Sequence, residues 1–220
     1  MQDWASQLAI SEVLNPTLGV TEQVLAVHKL AIQDGNPLIL LVDRDSEPGA
    51  YHIYFKIEDE PYYFVVVIRE EGGKLVASAA YIEAGVRVYL LISSTTLHPN
   101  AITERVKLNP TRQGLLGEVS QPRVPNVTFK ENRWYFEPQK GVSGSLKNKL
   151  NFLLDRLEPA QLMIADLQDE CEICICICYA GYRGWMGGWH IDKATLLRIA
   201  ALGAEVDLDL YAYGKQDLPS

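Results

Sequence analysis

Short runs of β-branched and aromatic residues fill the chain between residues 51 and 92, and polar turns containing Gly or Pro separate them. Runs of this length and composition are typical of β-strands. Because the turns are short, consecutive strands must pair side by side in opposite directions. The pattern therefore predicts an antiparallel β meander through YHIYFKI, YYFVVVI, LVASAAYI and VRVYLLI.

The residues before the meander carry two different patterns. Apolar positions at helical spacing, with Trp4 and Leu8 on one face, predict a helix over residues 3–14. Residues 21–32 fit either a helix or the first strand of a hairpin. We favour the hairpin, because the Gly-containing turn QDGN and the apolar run PLILLV follow this segment.

After residue 94, helical and strand patterns alternate, with a polar segment over residues 111–132 that we interpret as a long loop. The predicted helices are residues 101–108, 145–157, 160–167 and 193–202. The predicted strands are residues 86–92, 134–137, 173–179 and 206–211. Leucines at helical spacing make the helix over 145–157 the most clearly amphipathic of the set.

These elements predict an α+β fold in two parts. Residues 1–85 form an N-terminal helix and an antiparallel β meander. Residues 86–215 form a mixed or antiparallel sheet of about four strands, with helices packed on one face. One continuous sheet running through both parts is the alternative. A chain of 220 residues is long enough to bury a core without a disulfide or a metal.

The segment CEICICICY, residues 171–179, places Cys174, Cys176 and Cys178 on one strand face and three isoleucines on the other. Same-face neighbours along a strand lie ~6.6–7 Å apart, whereas sulfurs around a tetrahedral zinc lie under ~4 Å apart. We therefore predict no metal at these thiols. We expect a central strand, buried on both faces, in which the cysteines pack as small hydrophobes.

Five motifs follow one another in the second part of the chain. They are VYLLISSTTLHPNAIT, LNPTRQGLLGE, Trp134 after the loop, LNFLLDRLEP and the ending GGWHIDKATLLRIAALGAEVDLDLY. In order and spacing they resemble an uncharacterised, mainly bacterial family, the domain of unknown function 4279, over about residues 86–213. Residues 51–68 are similar to an extension common in cyanobacterial relatives. The family has no assigned activity, so the resemblance implies an architecture without a reaction.

Charge and composition exclude several classes of partner. The net charge is −8 and the Lys and Arg residues are scattered, which argues against nucleic acid. The start MQDWASQLAI lacks the features of a signal peptide, and no apolar run approaches the ~18–20 residues that span a bilayer. With four closely spaced cysteines, we expect a cytoplasmic protein that does not bind a membrane.

Few residues of the chain are candidates for catalysis. His190 follows a Gly-rich turn at a helix start, and Asp207 and Asp209 share one strand face. A titratable imidazole and paired carboxylates are the groups that a small metal-assisted hydrolase would use. The same residues also fit a turn histidine and a solvated strand face.

Four further residues are candidates for ligand binding because they lie in or beside loops: Trp134, Glu137, Trp185 and Trp189. The chain lacks GxSxG, phosphate-loop, dinucleotide and HExxH motifs. We therefore predict a non-enzymatic binding or interaction module for an unknown protein or small molecule, without a cofactor. The hydrolase is the alternative, and the β meander also offers a surface for a homodimer.

Overall fold

The computed structural model describes residues 2–44, 47–120, 127–184 and 187–214. Its helices are α1 (Gln2–Leu14), α2 (Gly19–Val27), α3 (Pro99–Val106), α4 (Leu146–Leu157), α5 (Gln161–Ala165) and α6 (Lys193–Ala201), with a 3₁₀ turn at Glu158–Ala160. Its strands are β1 (Ile32–Gln33), β2 (Asn36–Pro37), β3 (Ile39–Asp43), β4 (Ala50–Lys56), β5 (Tyr63–Glu71), β6 (Lys74–Glu83), β7 (Gly85–Ser94), β8 (Arg112–Gly114), β9 (Asn132–Phe136), β10 (Glu172–Tyr182) and β11 (Glu205–Tyr213).

Strands β3 to β6 form the first sheet, a four-stranded antiparallel meander in chain order. Three of the four predicted meander strands are confirmed as β4, β5 and β6. The prediction that VRVYLLI continues the meander is wrong, because this run forms β7, which pairs with β9 and β10 in the second sheet. Helix α1 packs on this sheet through Ala5, Ala9 and Val13, which are small enough to let the helix lie close to the strands. The predicted helix over residues 3–14 is confirmed, but Trp4, which was placed on one face with Leu8, is 70% exposed. Leu8 packs against the core as expected.

The predicted hairpin over residues 21–32 is wrong for most of its length, because Gly19–Val27 forms α2. Thr21 and Val24, three residues apart, are the buried positions of this helix. A short apolar run of this kind does not distinguish a helix from a strand by its periodicity. The turn itself was correctly located: β1 and β2 pair as a two-residue-per-strand ladder around Asp34 and Gly35.

The second sheet is mixed, with the strand order β11-β10-β7-β9-β8. Strand β10 is antiparallel to β7 and parallel to β11. The four predicted strands are all present, which confirms the fold class. A fifth, β8, lies inside the predicted loop over residues 111–132 and pairs Arg112 with Tyr135. Its three residues, RQG, carry no apolar pattern that the sequence could reveal.

Helices α3 to α6 cover one face of the second sheet, as predicted, and enclose its core with the odd-numbered positions of β10. Trp134 is fully buried here, and its Nε1 donates a hydrogen bond to Thr103 Oγ1 at 3.0 Å. Helix α3 begins two residues earlier than predicted, at Pro99, because the His98 ring accepts a hydrogen bond from the Asn100 amide and caps it.

The two sheets meet where the chain leaves β6 and enters β7, with Ala84 as the single residue between them. A Cβ at Gly85 would lie 1.7 Å from the carbonyl oxygen of Pro61, so the backbones touch there. Tyr182, at the end of β10, packs into the first core between His28 and Tyr62. The sheets are separate in the described residues, while the division into domains 1–85 and 86–215 stays a prediction.

Among the residues that the structure describes, no helix combines the length and the apolar character needed to cross a membrane.

Candidate functional site

The face of the second sheet that carries the cysteines is not covered by helices α3 to α6, which all pack on the isoleucine side. Cys176 is buried, whereas Cys174 and Cys178 are only half-buried. The expectation that this strand is buried on both faces is therefore wrong for the thiol side. We call this side the open face.

Strand register defines which side chains share the open face, because residues paired across a ladder point to the same side. The members on the five strands include Arg112, Arg133, Tyr135, Arg87, Tyr89, Leu91, Ser93, Glu172, Cys174, Cys176, Cys178, Glu205, Asp207, Asp209, Tyr211 and Tyr213. Arginines thus lie towards β8 and carboxylates along β11. The open face therefore has a positive region and a negative region, and it is not uniformly acidic.

A pocket of about 820 Å³ lies at the end of the open face, where it meets the turn before β5. Its basic residues are Arg87, Arg112, Lys140 and Lys149. Three tyrosines, Tyr63, Tyr211 and Tyr213, also line it. Among the described residues, none that lines this pocket is acidic. We call it the basic pocket, and it is unexpected in a chain of net charge −8.

Lys149 reaches the basic pocket from α4, and only 5% of the residue is exposed. Its Nζ donates a hydrogen bond to the main-chain oxygen of Val86. Burial lowers the pKa of Lys149 to about 8, against the opposing attraction of Glu137. A buried ammonium group has lost its contacts with water. An anion that binds beside it therefore stabilises its charged form.

Arg87 is held in place by Glu137 through two hydrogen bonds, from Nε to Oε1 and from Nη2 to Oε2, each 2.8 Å long. This bidentate pair raises the pKa of Arg87. Asp209 does not line the pocket but lies beside it, with Oδ2 at 3.8 Å from the Sγ of Cys178, which does line it. Four cations therefore face two neighbouring carboxylates, which leaves the pocket with a positive balance.

Arg112 also lines the pocket and lies over the ring of Tyr135, with its guanidinium carbon 3.9 Å from the ring centroid. Stacking on an aromatic ring orients a guanidinium and leaves the N–H groups at its edge able to bind an anion. Glu137, one of the predicted binding residues, thus takes part in the site by positioning Arg87 rather than by lining the pocket.

A second cavity on the open face, of about 600 Å³, is lined by Cys174, Cys176 and Asp207 together with Glu172 and Glu205. Despite its thiols and carboxylates, no group of three or more His, Cys, Asp or Glu is arranged to hold a metal in the described ranges.

The residues of the hydrolase alternative are not brought together. Asp207 lines the 600 Å³ cavity, which includes neither His190 nor Asp209. His190 is exposed on the loop before α6; nearby, the Gly187 oxygen accepts a hydrogen bond from Tyr179, a residue of the helix-covered core. The aspartates project from the other side of the sheet. The 600 Å³ cavity does not bring these three residues together. A metal-assisted reaction at them stays a prediction.

The aromatic candidates have different surroundings. Trp134 is fully buried, which suits packing, and Trp189 is 41% exposed on its loop. Trp185 lies outside the described residues. Their roles in binding stay predictions.

Sequence reasoning missed Lys149, although a signal was present. Lys149 lies three residues after Leu146 and four before Leu153, so helical spacing places it on the buried leucine stripe of α4. A lysine on an apolar stripe is forced to reach a polar or open region from a buried Cα, and here it reaches the basic pocket. Arg112 gave no comparable signal, because β8 itself was not recognised.

Comparison with known proteins gives one match. No curated protein and no solved structure matches the chain. A family model described as domain of unknown function (DUF4279) matches residues 84–213, which is more than half of the chain. This range contains the whole second sheet, helices α3 to α6 and all four basic residues of the pocket. The chain belongs to the DUF4279 family.

Proposed function

We propose that the protein is a cytoplasmic, non-enzymatic binding module that holds a small anion, a carboxylate or a phosphate, in the basic pocket. The observation that carries this proposal is the convergence of Arg87, Arg112, Lys140 and Lys149 on one cavity. A pocket of about 820 Å³ is within the size range of small-molecule sites. Perturbed titratable groups in such a cavity favour a functional site over a solvated surface.

Lys149 supplies the strongest physical argument. Placing an ammonium where its pKa falls to about 8 costs stability, and the hydrogen bond to the neutral Val86 carbonyl offsets only part of that cost. A lysine that packed only for stability would be better replaced by an apolar residue of similar size. A bound anion supplies the missing compensation, through a charge-assisted hydrogen bond at low local dielectric.

The protonation state of Cys178, the thiol that lines the pocket, favours binding over catalysis. Burial, followed by the nearby charge of Asp209, raises the pKa of Cys178. The thiolate is the nucleophilic form of cysteine, so a raised pKa keeps this side chain unreactive near neutral pH. The basic side chains then serve to hold an anion.

Calorimetric titration with inorganic phosphate and with acetate tests this function. We expect both anions to bind the wild-type protein, and we expect Lys149→Met to weaken both at least tenfold. Lys147→Met is the matched control, because Lys147 lies on the same helix with an exposed side chain and does not line the pocket. Circular dichroism establishes that both variants are folded. Failure of both anions to bind the wild type, or equal affinities in the two variants, would overturn the proposal.

A further inference from the structure

We infer that the basic pocket selects an anion carried on a planar apolar body, namely an aromatic carboxylate. This inference rests on the proposed function and adds a ligand class to it. The pocket has two unlike walls. Arg87, Arg112 and Lys149 form the cationic wall, while Tyr63, Tyr211 and Tyr213 supply rings from both sheets.

The aromatic wall is built to offer ring surface. Tyr211 and Tyr213 are 46% and 42% exposed, and their ring centroids lie 6.4 Å apart. Tyr63 enters from the first sheet, where the ring of Tyr54 packs edge-on against it at 6.0 Å. Exposed tyrosines that are ordered by neighbouring rings present large, rigid contact area at low entropic cost.

Cations and rings lie on the same face of the second sheet. Arg87 on β7 is paired with Cys178 on β10, and Tyr211 on β11 is paired with Ala180, two residues further along β10. The backbones of Arg87 and Tyr211 are therefore two strand spacings apart across the sheet, roughly 10 Å, and two residues apart along it. A ligand that contacts both needs a charged end and an extended apolar body.

Small residues occupy the floor between the walls. Cys178, Ala180 and Gly85 line the pocket there, so no bulky side chain fills the space. Gly85 is required for another reason, since its backbone touches Pro61, and the turn that carries Pro61 also carries Tyr63 to the pocket. The first sheet therefore completes a site whose charges come from the family-matched region.

The surroundings disfavour a longer polyanion. Asp207 and Asp209 continue along β11 beside the pocket, and the chain as a whole carries a charge of −8. A nucleic acid or an acidic peptide that filled the pocket would be repelled as it extended across this column. A compact monoanion with an apolar body meets the cations and avoids the carboxylates.

Calorimetry with three probes tests the inference: 2-naphthoate, acetate and the neutral 2-naphthamide. We expect naphthoate to bind at least tenfold more tightly than either of the others, since each lacks one of the two features. The double variant Tyr211→Ala/Tyr213→Ala should lose at least fivefold in naphthoate affinity and leave acetate unchanged. Tyr211→Phe/Tyr213→Phe keeps both rings and is expected to retain naphthoate binding.

The two proposals fail in different ways. Equal affinities for naphthoate and acetate, or tyrosine variants that weaken both alike, would refute the aromatic class while leaving anion binding intact. Tight binding of the neutral amide would refute the anionic head. If Lys149→Met and Lys147→Met instead bound acetate with equal affinity, the proposed function on which the inference rests would be refuted.

Discussion

Lys149 on α4 donates a hydrogen bond to the main-chain oxygen of Val86 on β7, so the helix that covers the second sheet also delivers a cation to its end. The Val86 side chain is buried in the core of this sheet. One contact therefore joins the packing of α4 to the electrostatics of the basic pocket.

Lys149→Met is expected to stabilise the free protein at pH 7. The folded pKa of Lys149, about 8, lies below its usual value of 10.5, so the unfolded chain binds more protons between these values. Stability then rises with pH from about 8 to about 10.5, and below pH 8 the buried charge carries its full cost. We expect a gain of roughly 1–3 kcal/mol at pH 7 that shrinks towards pH 10.5.

Urea unfolding of Lys149→Met at pH 7, 9 and 10.5 measures this window, with Lys147→Met as the control that should match the wild type at each pH. A variant that is less stable than the wild type at pH 7 would mean that the Val86 hydrogen bond outweighs the cost of burying the ammonium.

Acetate binding is expected to weaken as the pH rises above about 8. Lys149 must be protonated to attract the anion, and the bound anion raises its pKa, so binding takes up a proton in this range. The affinity should fall about tenfold per pH unit until the pKa of the bound state is reached. Acetate remains ionised throughout, so calorimetry between pH 6 and 10 reports the protein alone. A flat profile would show that Lys149 does not contact the ligand.

Glu83→Gln is expected to stabilise the protein above pH 7. Burial raises the pKa of Glu83 from 4.5 to about 7, so the folded state holds a proton that the unfolded state has lost. Stability therefore falls as the pH rises from about 4.5 to about 7. Glutamine mimics the protonated acid, and we expect a gain on the order of 2 kcal/mol at pH 8.

Thermal unfolding of Glu83→Gln at pH 4.5 and pH 8 separates this effect from a general change in packing, because the gain should vanish at the lower pH. Glu71→Gln, at the exposed end of β5, is the control and should leave the melting temperature unchanged. An equal gain for Glu83→Gln at both pH values would contradict a titration effect.

Gly85→Ala is expected to cost several kcal/mol, because the new methyl group would lie 1.7 Å from the Pro61 oxygen and one of the two backbones must move. Gly19→Ala is the matched control, since nothing lies within 4 Å of a Cβ built there. Chemical denaturation compares the two variants. A Gly85→Ala protein as stable as Gly19→Ala would show that the sheets are not in contact at this point.

The strands were predictable wherever apolar character and turns agreed. Residues 173–179 and 206–211 alternate or run apolar between clear breaks, and both are strands in the structure. The short β8 was missed, because its three residues show no apolar pattern. Its pairing with β9 is a tertiary contact that the local sequence does not indicate. Helix α2 was mistaken for a strand, since burial of Thr21 and Val24 depends on where the first sheet lies.

The exposure of the open face could not be predicted from the sequence, for a related reason. The Cys/Ile alternation correctly placed thiols and isoleucines on opposite sides, but it carries no information on whether helices cover one side or both. The basic pocket draws Arg87, Arg112 and Lys149 from three elements that are distant in the chain. The strand register brings the two arginines to one face, and the packing of α4 on the sheet adds Lys149.

The most direct measurement of the central claim is a crystal structure of the protein with 6-bromo-2-naphthoate, with the bromine located by its anomalous scattering. We predict one bromine site beside Tyr211 and Tyr213, with the carboxylate within hydrogen-bonding distance of Lys149 Nζ. A basic pocket that holds no probe at saturating concentration, or a carboxylate bound away from Lys149, would contradict the account.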